Sequence, residues 1–257
     1  MQQKQPYSYA SVSLIEELRA PTISVVIPTR NEAQNLRYVL PYLPSSVTEV
    51  ILVDGHSVDN TIAEAQRLLP SIKIIEQVGK GKGDALRAGF AACTGDIIVT
   101  LDADGSTDPT EIPRFVQPLL EGYDCAKGSR FMKSGSSHDI TFVRLLGNYL
   151  LGQFMNMLFH TRSSDFSYGY NAFWKHCLDR VDITCDGFEG EMQIYLHMYK
   201  AHLKIAEVPS IENLRIYGKS NLYPLHDGWR ILRIIMEERI KSIIHAKLQK
   251  KGYKVCL

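Results

Sequence analysis

Short apolar runs alternate with segments of helical periodicity through the first hundred residues, and this alternation restricts the fold more than any other feature. Apolar, β-branched runs predict strands at 23–27, 49–53, 73–76 and 96–101. Helical patterns between them cover 31–43, 61–69 and 83–92. Strands that alternate with helices at this spacing predict βαβ units, and therefore a parallel sheet with helices on both faces.

The second half of the chain is less regular but continues the mixture of strands and helices. Its pattern predicts strands at 123–128 and 203–208, and helices at 141–159, 172–178, 191–201 and 226–250. No internal repeat and no low-complexity linker interrupts it. We therefore expect one α/β domain with two lobes, built on a mixed, mostly parallel sheet.

Composition excludes several classes of protein. The 257 residues are 45% hydrophobic and 22% charged, with a net charge of +1, so no overall positive charge favours nucleic-acid binding. The five cysteines are scattered without a CxxC pair, which favours free thiols in a reducing compartment. The N-terminus lacks a signal-peptide core, and polar residues interrupt the apolar stretch 142–159. We expect a cytoplasmic protein, soluble or peripheral at the inner face of a membrane.

Polar segments follow each of the first four predicted strands. They are 29–32, 54–57, 79–84 and 102–104. Ligands of open parallel sheets bind beyond the carboxyl ends of the strands, so these four segments should line one site.

The fourth segment contains two carboxylates, Asp102 and Asp104, directly after a buried strand. Neighbouring carboxylates repel each other, and a divalent cation that also binds phosphate oxygens relieves the repulsion. The alternative is a polar turn, because Asp-Ala-Asp-Gly-Ser also suits a loop. Convergence with the other strand ends favours the metal site, with Asp104 as principal ligand.

The third segment is a loop of three glycines and two lysines, Lys80 and Lys82, before a helix. Such a loop can approach an anion closely, although a flexible basic turn is the alternative. It matches neither the P-loop nor the dinucleotide-binding pattern. In the second segment Asp54 is the better ligand candidate, because Asp59 and Asn60 suit a helix cap.

Four blocks together resemble the family 2 glycosyltransferases, in order and with the family's spacing. They are 24–32 (SVVIPTRNE), 53–61 (VDGHSVDNT), 81–89 (GKGDALRAG) and 102–104 (DAD). The branch that they most resemble contains the dolichyl- and polyprenyl-phosphate mannose synthases. The resemblance implies a GT-A fold over 22–225, with a nucleotide-sugar lobe (22–105) and an acceptor lobe (106–225). An N-terminal extension (1–21) and an amphipathic C-terminal helix (226–257) would flank it.

The same resemblance implies a GDP- or UDP-sugar donor, inversion at the anomeric carbon, and Mg²⁺ or Mn²⁺ as cofactor. It places Pro28, Arg30, Glu32 and Asp54 at the nucleoside and Lys82 near the base or phosphates. Asp102 and Asp104 would bind ribose, metal and diphosphate. A later loop, 215–222, would close over the diphosphate with Arg215, Lys219 and Ser220.

In the acceptor lobe, Gly128-Ser129-Arg130 resembles a block of the same branch, and Arg144 and Asn148 share one face of a predicted helix. The resemblance implies that Arg130, Arg144 and Asn148 bind an acceptor phosphate; the alternative for Arg144 is a surface position. Glu189 or Glu191 would act as base for a hydroxyl acceptor, or only cap a helix, whereas a phosphate needs no base. By resemblance, Asp165 and 168–171 lie beneath the sugar.

The terminal helix becomes basic from Arg239 onward, with no acidic residue after it. This pattern suits an anionic membrane surface, or a packing or homodimer helix with a solvated tip. The leading hypothesis is a metal-dependent, inverting, non-processive glycosyltransferase that acts on a polyprenyl phosphate or a small hydroxylated molecule. A nucleotidyltransferase and a nucleotide-sugar-binding protein without activity are the alternatives.

Overall fold

The chain is represented by a computed structural model, which describes residues 19–250. Most of the predicted extension 1–21 and the last residues of the predicted C-terminal segment lie outside this range. The strands are β1 (Ile23–Thr29), β2 (Val47–Asp54), β3 (Lys73–Glu76), β4 (Ile97–Thr100), β5 (Cys125–Ser129), β6 (Ser136–Ser137), β7 (Asn171–Trp174), β8 (Ile205–Pro209) and β9 (Ile211–Glu212). The helices are α1 (Thr61–Leu68), α2 (Lys82–Ala92), α3 (Ile112–Leu120), α4 (Phe142–Phe159), α5 (Glu189–Lys200) and α6 (Pro224–Lys250).

Seven strands form one sheet in the order β3-β2-β1-β4-β7-β5-β8, and β6 pairs with β9 beside it. In the large sheet β7 runs antiparallel to both of its neighbours, while the other paired strands are parallel. The predicted mixed, mostly parallel sheet is therefore confirmed. The predicted boundary between lobes at residues 105 and 106 stays a prediction.

Helices cover both faces of the sheet because its central strands are apolar on both sides. Successive strand residues point to opposite faces. On β1, Val25 lies in one buried cluster with α1 and α3, whereas Val26 lies in a second cluster with α2 and α5. A third cluster packs α4, α5 and α6 together around Met155 and Ile235.

Two predicted helices are wrong. Residues 172–178 form β7 and a 3-10 helix (Lys175–Arg180), because this segment inserts between β4 and β5 and buries Ala172 and Phe173 on opposite faces. Residues 31–43 contain only two 3-10 turns, Leu36–Tyr38 and Leu40–Tyr42. Pro41 has no N–H for the next helical hydrogen bond, which explains the interruption.

Helix α3 has no counterpart in the sequence-based prediction. It contains Pro113 in its first turn and Pro118 within its last turns, and these prolines conceal a strongly one-sided apolar pattern. Ile112, Phe115 and Leu119 are buried against the sheet. The last helix begins at Pro224, two residues before the predicted start. Among residues 19–250, no helix is long and apolar enough to span a membrane.

Candidate active site

The loops that follow β1 to β4 contact one another at the edge of the sheet where these strands end. The Asn31 backbone N–H donates to Ser57 Oγ (2.9 Å), which joins the loops after β1 and β2. His56 Nε2 lies 2.9 Å from the Gly79 carbonyl and joins the loops after β2 and β3. Lys82 reaches Asp102 after β4. The four polar segments therefore form one site, as the sequence predicts.

Each carboxylate of the acidic pair contacts a cationic side chain. Asp102 Oδ1 lies 2.5 Å from Lys82 Nζ, and Asp104 Oδ2 lies 2.9 Å from Arg215 Nη2. The other oxygen of Asp104 accepts hydrogen bonds from the backbone N–H (2.9 Å) and the hydroxyl (2.6 Å) of Ser106. These bonds orient the Asp104 carboxylate, and its partners show that this part of the site attracts positive charge.

Lys82 lies between two carboxylates, because its Nζ is also 2.8 Å from Glu191 Oε1. Burial alone would lower the pKa of Lys82, but Asp102 and Glu191 outweigh burial and raise that pKa above its usual range. Burial raises the pKa of Glu191 in turn, although Lys82 opposes this shift. Lys82 is therefore a permanent cation at the centre of the site.

Gly169 leaves the space in which this cluster lies. A Cβ atom at Gly169 would be 2.6 Å from Glu191 Oε1, 2.9 Å from Lys82 Nζ and 3.3 Å from Asp102 Oδ2. A larger residue would force the ends of the Glu191 and Lys82 side chains to shift, and with them the ion pair between these two residues. Gly169 thus belongs to the site, although it has no functional group of its own.

The glycine-rich loop contacts protein backbone rather than presenting a set of free N–H groups. The N–H groups of Gly83 (2.8 Å) and Asp84 (3.2 Å) at the start of α2 both donate to the Asp186 carbonyl. Lys80 is exposed, so Lys82 is the lysine of this loop that reaches the acidic pair. Gly81 and Gly83 permit the close approach of the segment around Asp186, because a Cβ atom at Gly81 would lie 2.3 Å from the Asp186 carbonyl oxygen and one at Gly83 would lie 2.2 Å from that of Cys185.

The predicted nucleoside residues differ in their surroundings. Asp54 is buried; its Oδ2 accepts the Ser57 N–H (3.0 Å), whereas its Oδ1 has no hydrogen-bond partner within residues 19–250. Glu32 is buried and pairs with Arg215 at 2.6 Å. Arg30 is exposed at the same edge, and Pro28 is half-buried. Burial raises the pKa of Glu32 despite its contacts with Arg215 and Asn35.

Comparison with known proteins decides which family this arrangement belongs to. A sequence model of the family described as "Glycosyl transferase family 2" matches residues 24–180. The chain belongs to glycosyl transferase family 2. The match covers the four strand ends and continues to the end of the 3-10 helix that follows β7.

Relatives of this glycosyltransferase include a dolichol-phosphate mannosyltransferase of Pyrococcus furiosus, 30% identical over 78% of the chain and 59% of that protein. The glycosyltransferase AglJ of Haloferax volcanii is 29% identical over 80% of the chain and 68% of that protein. The chain thus spans about three fifths of the length of the first of these relatives.

The GT-A fold is confirmed by solved structures. A glucosyl-3-phosphoglycerate synthase of Mycobacterium tuberculosis, in complex with Mn²⁺, UDP and glucosyl-3-phosphoglycerate, superposes with a TM-score of 0.68. It is 22% identical, and the alignment covers 93% of this chain and 86% of that one.

The chemistry of the acidic pair, Asp102 and Asp104, fits a divalent cation such as Mg²⁺ or Mn²⁺. Carboxylate oxygens are the ligands that Mg²⁺ and Mn²⁺ prefer. Ser106 orients the Asp104 carboxylate, which pairs with the guanidinium of Arg215. Asp102 pairs with the ammonium group of Lys82. These two residues of the glycosyltransferase are the ones that would hold the metal.

A cavity of about 400 Å³ lies between α4 and α6 and extends to Glu191. Most of its wall is apolar. Its polar lining residues are Arg130, Arg144, Asn148, Asp165, Ser167, Glu191 and Asp227. Because Glu191 also contacts Lys82, the cavity and the acidic pair are adjacent.

Arg130 does not form a free anion-binding pair with Arg144, which differs from the expected arrangement. Its buried guanidinium binds both carboxylate oxygens of Asp165 (2.7 and 3.0 Å) and lies 3.1 Å from both of Glu212. Arg144 pairs with Asp139 at 3.1 Å. Arg130 therefore holds the wall of the cavity in place, since its charge is already balanced by two carboxylates.

The two glutamates predicted as bases lie on the first turn of α5 but face different neighbours. Glu191 lines the cavity beside Lys82, whereas Glu189 pairs with Arg230 of α6 at 2.5 Å. Lys219 and Ser220 are exposed on the loop before α6, and Asn148 lines the cavity. Between the two glutamates, Glu191 is the one at the junction of donor site and cavity.

Sequence reasoning missed two contributors to the site. Asn35 binds the backbone of Tyr217 in the later loop, and Glu212 completes the environment of Arg130. No local pattern identifies these two residues, because their partners are distant in the sequence. Gly169 lies within the predicted segment 168–171, but only the close contacts of the folded chain show why it has no side chain.

Proposed function

We propose that this glycosyltransferase transfers a sugar from a GDP- or UDP-sugar to a lipid-linked phosphate such as a polyprenyl phosphate. The observation that supports this acceptor best is the largely apolar cavity of about 400 Å³ that Glu191 lines beside the acidic pair. A cavity with mostly apolar walls and a few polar side chains, among them Arg144 and Asn148, suits a ligand with a hydrocarbon tail and an anionic head.

On the donor side, positive charge would stabilise the nucleoside diphosphate as it leaves. Lys82 and Arg215 are the cations beside Asp102 and Asp104. A bound Mg²⁺ or Mn²⁺ would add further charge neutralisation on the leaving diphosphate. Glu191 keeps Lys82 in position from the opposite side.

On the acceptor side, Arg144 and Asn148 are the polar groups of α4 that face the cavity. They would bind the phosphate head, while Arg130 stiffens the wall behind them. A phosphate oxygen attacks the anomeric carbon, a new C–O bond forms, and the bond to the nucleoside diphosphate breaks with inversion. The attacking oxygen is already anionic, so this reaction needs no base.

A hydroxyl acceptor is the second candidate, and the position of Glu191 is the observation that favours it. Burial raises the pKa of this carboxyl, and its side chain lines the cavity beside Lys82. A hydroxyl bound there would need a base, and Glu191 is the carboxylate in reach of the junction.

The test is transfer with GDP-mannose or UDP-glucose and Mn²⁺, followed by mass spectrometry of the products. Citronellyl phosphate and a polyprenyl phosphate are offered as acceptors. Citronellol, which lacks the phosphate head, and 3-phosphoglycerate, which lacks the hydrocarbon tail, are the matched controls. We expect products with the lipid phosphates and none with citronellol. Transfer to 3-phosphoglycerate alone would contradict the lipid acceptor and favour the hydroxyl one.

A further inference from the structure

A side chain of the protein itself competes for the carboxylate predicted to hold the metal. Arg215 bridges two acidic groups, with Nη2 at 2.9 Å from Asp104 Oδ2 and Nη1 at 2.6 Å from Glu32 Oε1. The three side chains are between 8% and 18% exposed, so solvent and salt screen these pairs less than surface pairs. A metal ion that binds Asp104 Oδ2 has to replace the guanidinium.

Backbone hydrogen bonds fix the segment around Arg215 on the turn that contains Asp104 and Ser106. The Ile216 N–H donates to the Asp104 carbonyl (3.3 Å), and the Asn213 N–H donates to the Ser106 carbonyl (2.8 Å). Asn35 binds Tyr217 from both sides, donating to its carbonyl (3.1 Å) and accepting from its N–H (3.0 Å). Arg215 is therefore held at Asp104 by its whole segment and is not a freely moving surface arginine.

Lys82 and Arg215 differ in the secondary structure on which they lie. Lys82 begins helix α2, and its second partner Glu191 is on helix α5, so both lie on regular elements. Arg215 lies on an irregular segment that is followed by Gly218, whose φ of +79° suits a residue without a side chain. Of the two cations, Arg215 is the one that lies outside a helix, so its side chain can turn to another partner while the backbone hydrogen bonds of its segment stay in place.

We propose that Arg215 is an internal counter-cation that keeps a divalent metal ion off Asp104 until a nucleoside diphosphate binds. This inference rests on the proposed use of a nucleotide-sugar donor. The diphosphate offers the guanidinium a second set of anionic oxygens, in the paired geometry that arginine prefers. Once Arg215 moves to the phosphates, Asp104 is available to the metal, so metal and nucleotide strengthen each other's binding reciprocally.

The experiment measures Mn²⁺ binding by electron paramagnetic resonance of the free ion, without nucleotide and with saturating UDP or GDP. In Arg215→Met we expect Mn²⁺ alone to bind about fivefold more tightly or better, the lower end of typical coupling between sites. The ratio of Mn²⁺ affinities with and without nucleotide should fall by a similar factor. Arg215→Lys retains the charge but is too short to bridge both carboxylates, so its Mn²⁺ affinity should lie between the two.

Arg37→Met is the matched control, because Arg37 is an exposed arginine that pairs with Glu64 rather than with the acidic pair. It removes the same charge without freeing Asp104, so its Mn²⁺ affinity should stay within about twofold of the unsubstituted protein, as for a screened surface charge. Equal tightening in Arg37→Met and Arg215→Met would overturn the inference, because net charge would then explain the effect. Unchanged Mn²⁺ affinity in a folded Arg215→Met protein, or in Arg215→Lys if the first variant does not fold, would overturn it too.

The inference and the proposed function can fail separately. Coupled binding of Mn²⁺ and nucleotide that is lost in Arg215→Met, without sugar transfer to any acceptor, would refute the proposed reaction and leave the inference standing. Sugar transfer by a protein whose Mn²⁺ affinity does not depend on Arg215 would refute the inference alone.

Discussion

At the scale of single residues, Asp54 combines burial with an unused hydrogen-bond acceptor. Its Oδ2 is bound by Ser57, and its Oδ1 has no partner in the described part of the chain. A buried carboxylate oxygen without a donor is costly, and an N–H group of the donor's base would supply one. The proposed role of Asp54 at the base therefore has a physical reason beyond the family resemblance.

We expect Asp54→Asn to weaken UDP or GDP binding about tenfold or more, the size of one hydrogen bond to a charged group. Calorimetric titration in the presence of Mn²⁺ measures this. Asp59→Asn is the control, because Asp59 is exposed and its Oδ1 accepts the Thr61 N–H (3.0 Å) at the start of α1, one residue before the N-cap Asn60. It should lower the melting temperature without changing nucleotide affinity, and equal losses of affinity in both variants would contradict the assignment.

Single residues also show the limit of reading a site from sequence. Asp102, Asp104 and Lys82 follow strands of recognisable pattern, so their convergence could be predicted from the rule that parallel strands end at one edge. The partners of Arg130 could not, because Asp165 and Glu212 lie 35 and 82 positions away and belong to no shared motif. Charge alone suggested an anion site there, whereas the folded chain has already neutralised that charge.

At the scale of elements, strands and helices of regular period were predictable, and segments ruled by tertiary packing were not. The apolar runs of β1 to β4 are sufficient to predict these four strands. β7 has a sequence that reads as helical, and it is a strand because the gap between β4 and β5 offers both faces for burial. Prolines concealed α3, although its buried face is strongly apolar.

Helix α4 provides a direct test of the cavity. Gly147 lines it, and a Cβ atom there would meet nothing within 4 Å, so a leucine side chain would project into the acceptor space without a clash. We expect Gly147→Leu to reduce transfer to a lipid phosphate about tenfold or more, since a displaced acceptor loses its alignment with the donor.

The comparison for Gly147→Leu is Gln153→Leu, an exposed position of α4 that is not among the residues lining the cavity. Mn²⁺-dependent nucleotide affinity should be unchanged in both variants, because α4 does not contribute to the acidic pair. Full transfer by Gly147→Leu would show that the acceptor binds elsewhere.

A buried carboxylate of helix α6, Glu238, connects this helix to α5. It pairs with His197 (3.2 Å) and Lys200 (2.8 Å) of α5 and with Lys241 (2.8 Å) of its own helix. Burial would raise the pKa of Glu238, but these three partners outweigh burial and hold that pKa far below its usual range. The stabilisation is thus present above the unfolded-state pKa and is lost as the pH falls from about 4.5 towards the folded-state value.

We expect Glu238→Gln to lower the free energy of unfolding by about 2 kcal/mol at pH 7, and by less as the pH falls below about 4. Urea denaturation at several pH values measures the difference. Glu237→Gln, its exposed neighbour paired with Arg233, should cost less than about 0.5 kcal/mol at any pH. A loss in Glu238→Gln that does not depend on pH would show that packing rather than charge attaches the helix.

At the scale of the whole molecule, the cavity opens through a set of exposed apolar side chains. We call these the rim: Val143, Leu150, Leu225 and Trp229. Leu225 is 85% exposed and Trp229 is 68% exposed, which is unusual for residues of their size. The tail of a lipid acceptor whose head is bound by Arg144 and Asn148 would have to leave the cavity past the rim. We therefore propose that the rim faces a bilayer surface.

This placement differs from the basic end of the terminal helix that the sequence suggested. Of the basic residues there, Lys241 pairs with Glu238, and the last ones lie outside the described residues. Arg233, one turn after Trp229, is an exposed cation beside the rim, although it pairs with Glu237. Apolar exposure at the cavity mouth is therefore the stronger indication of a lipid-facing surface, with anionic lipid adding to the attraction.

The rim predicts a fluorescence change, because Trp229 is one of only two tryptophans in the chain. In Trp174→Phe it is the sole emitter, and its emission should shift to shorter wavelength on addition of vesicles of phosphatidylglycerol and phosphatidylcholine. Leu225→Glu in this background should abolish the shift and vesicle co-sedimentation, because a charged group at the rim opposes insertion.

The control is Ile243→Glu, near the end of α6, which should bind vesicles as before. Loss of binding only in this variant would locate the contact at the basic end of the helix. A shift that depends on protein concentration without vesicles would instead identify the rim as a contact between two copies of the chain.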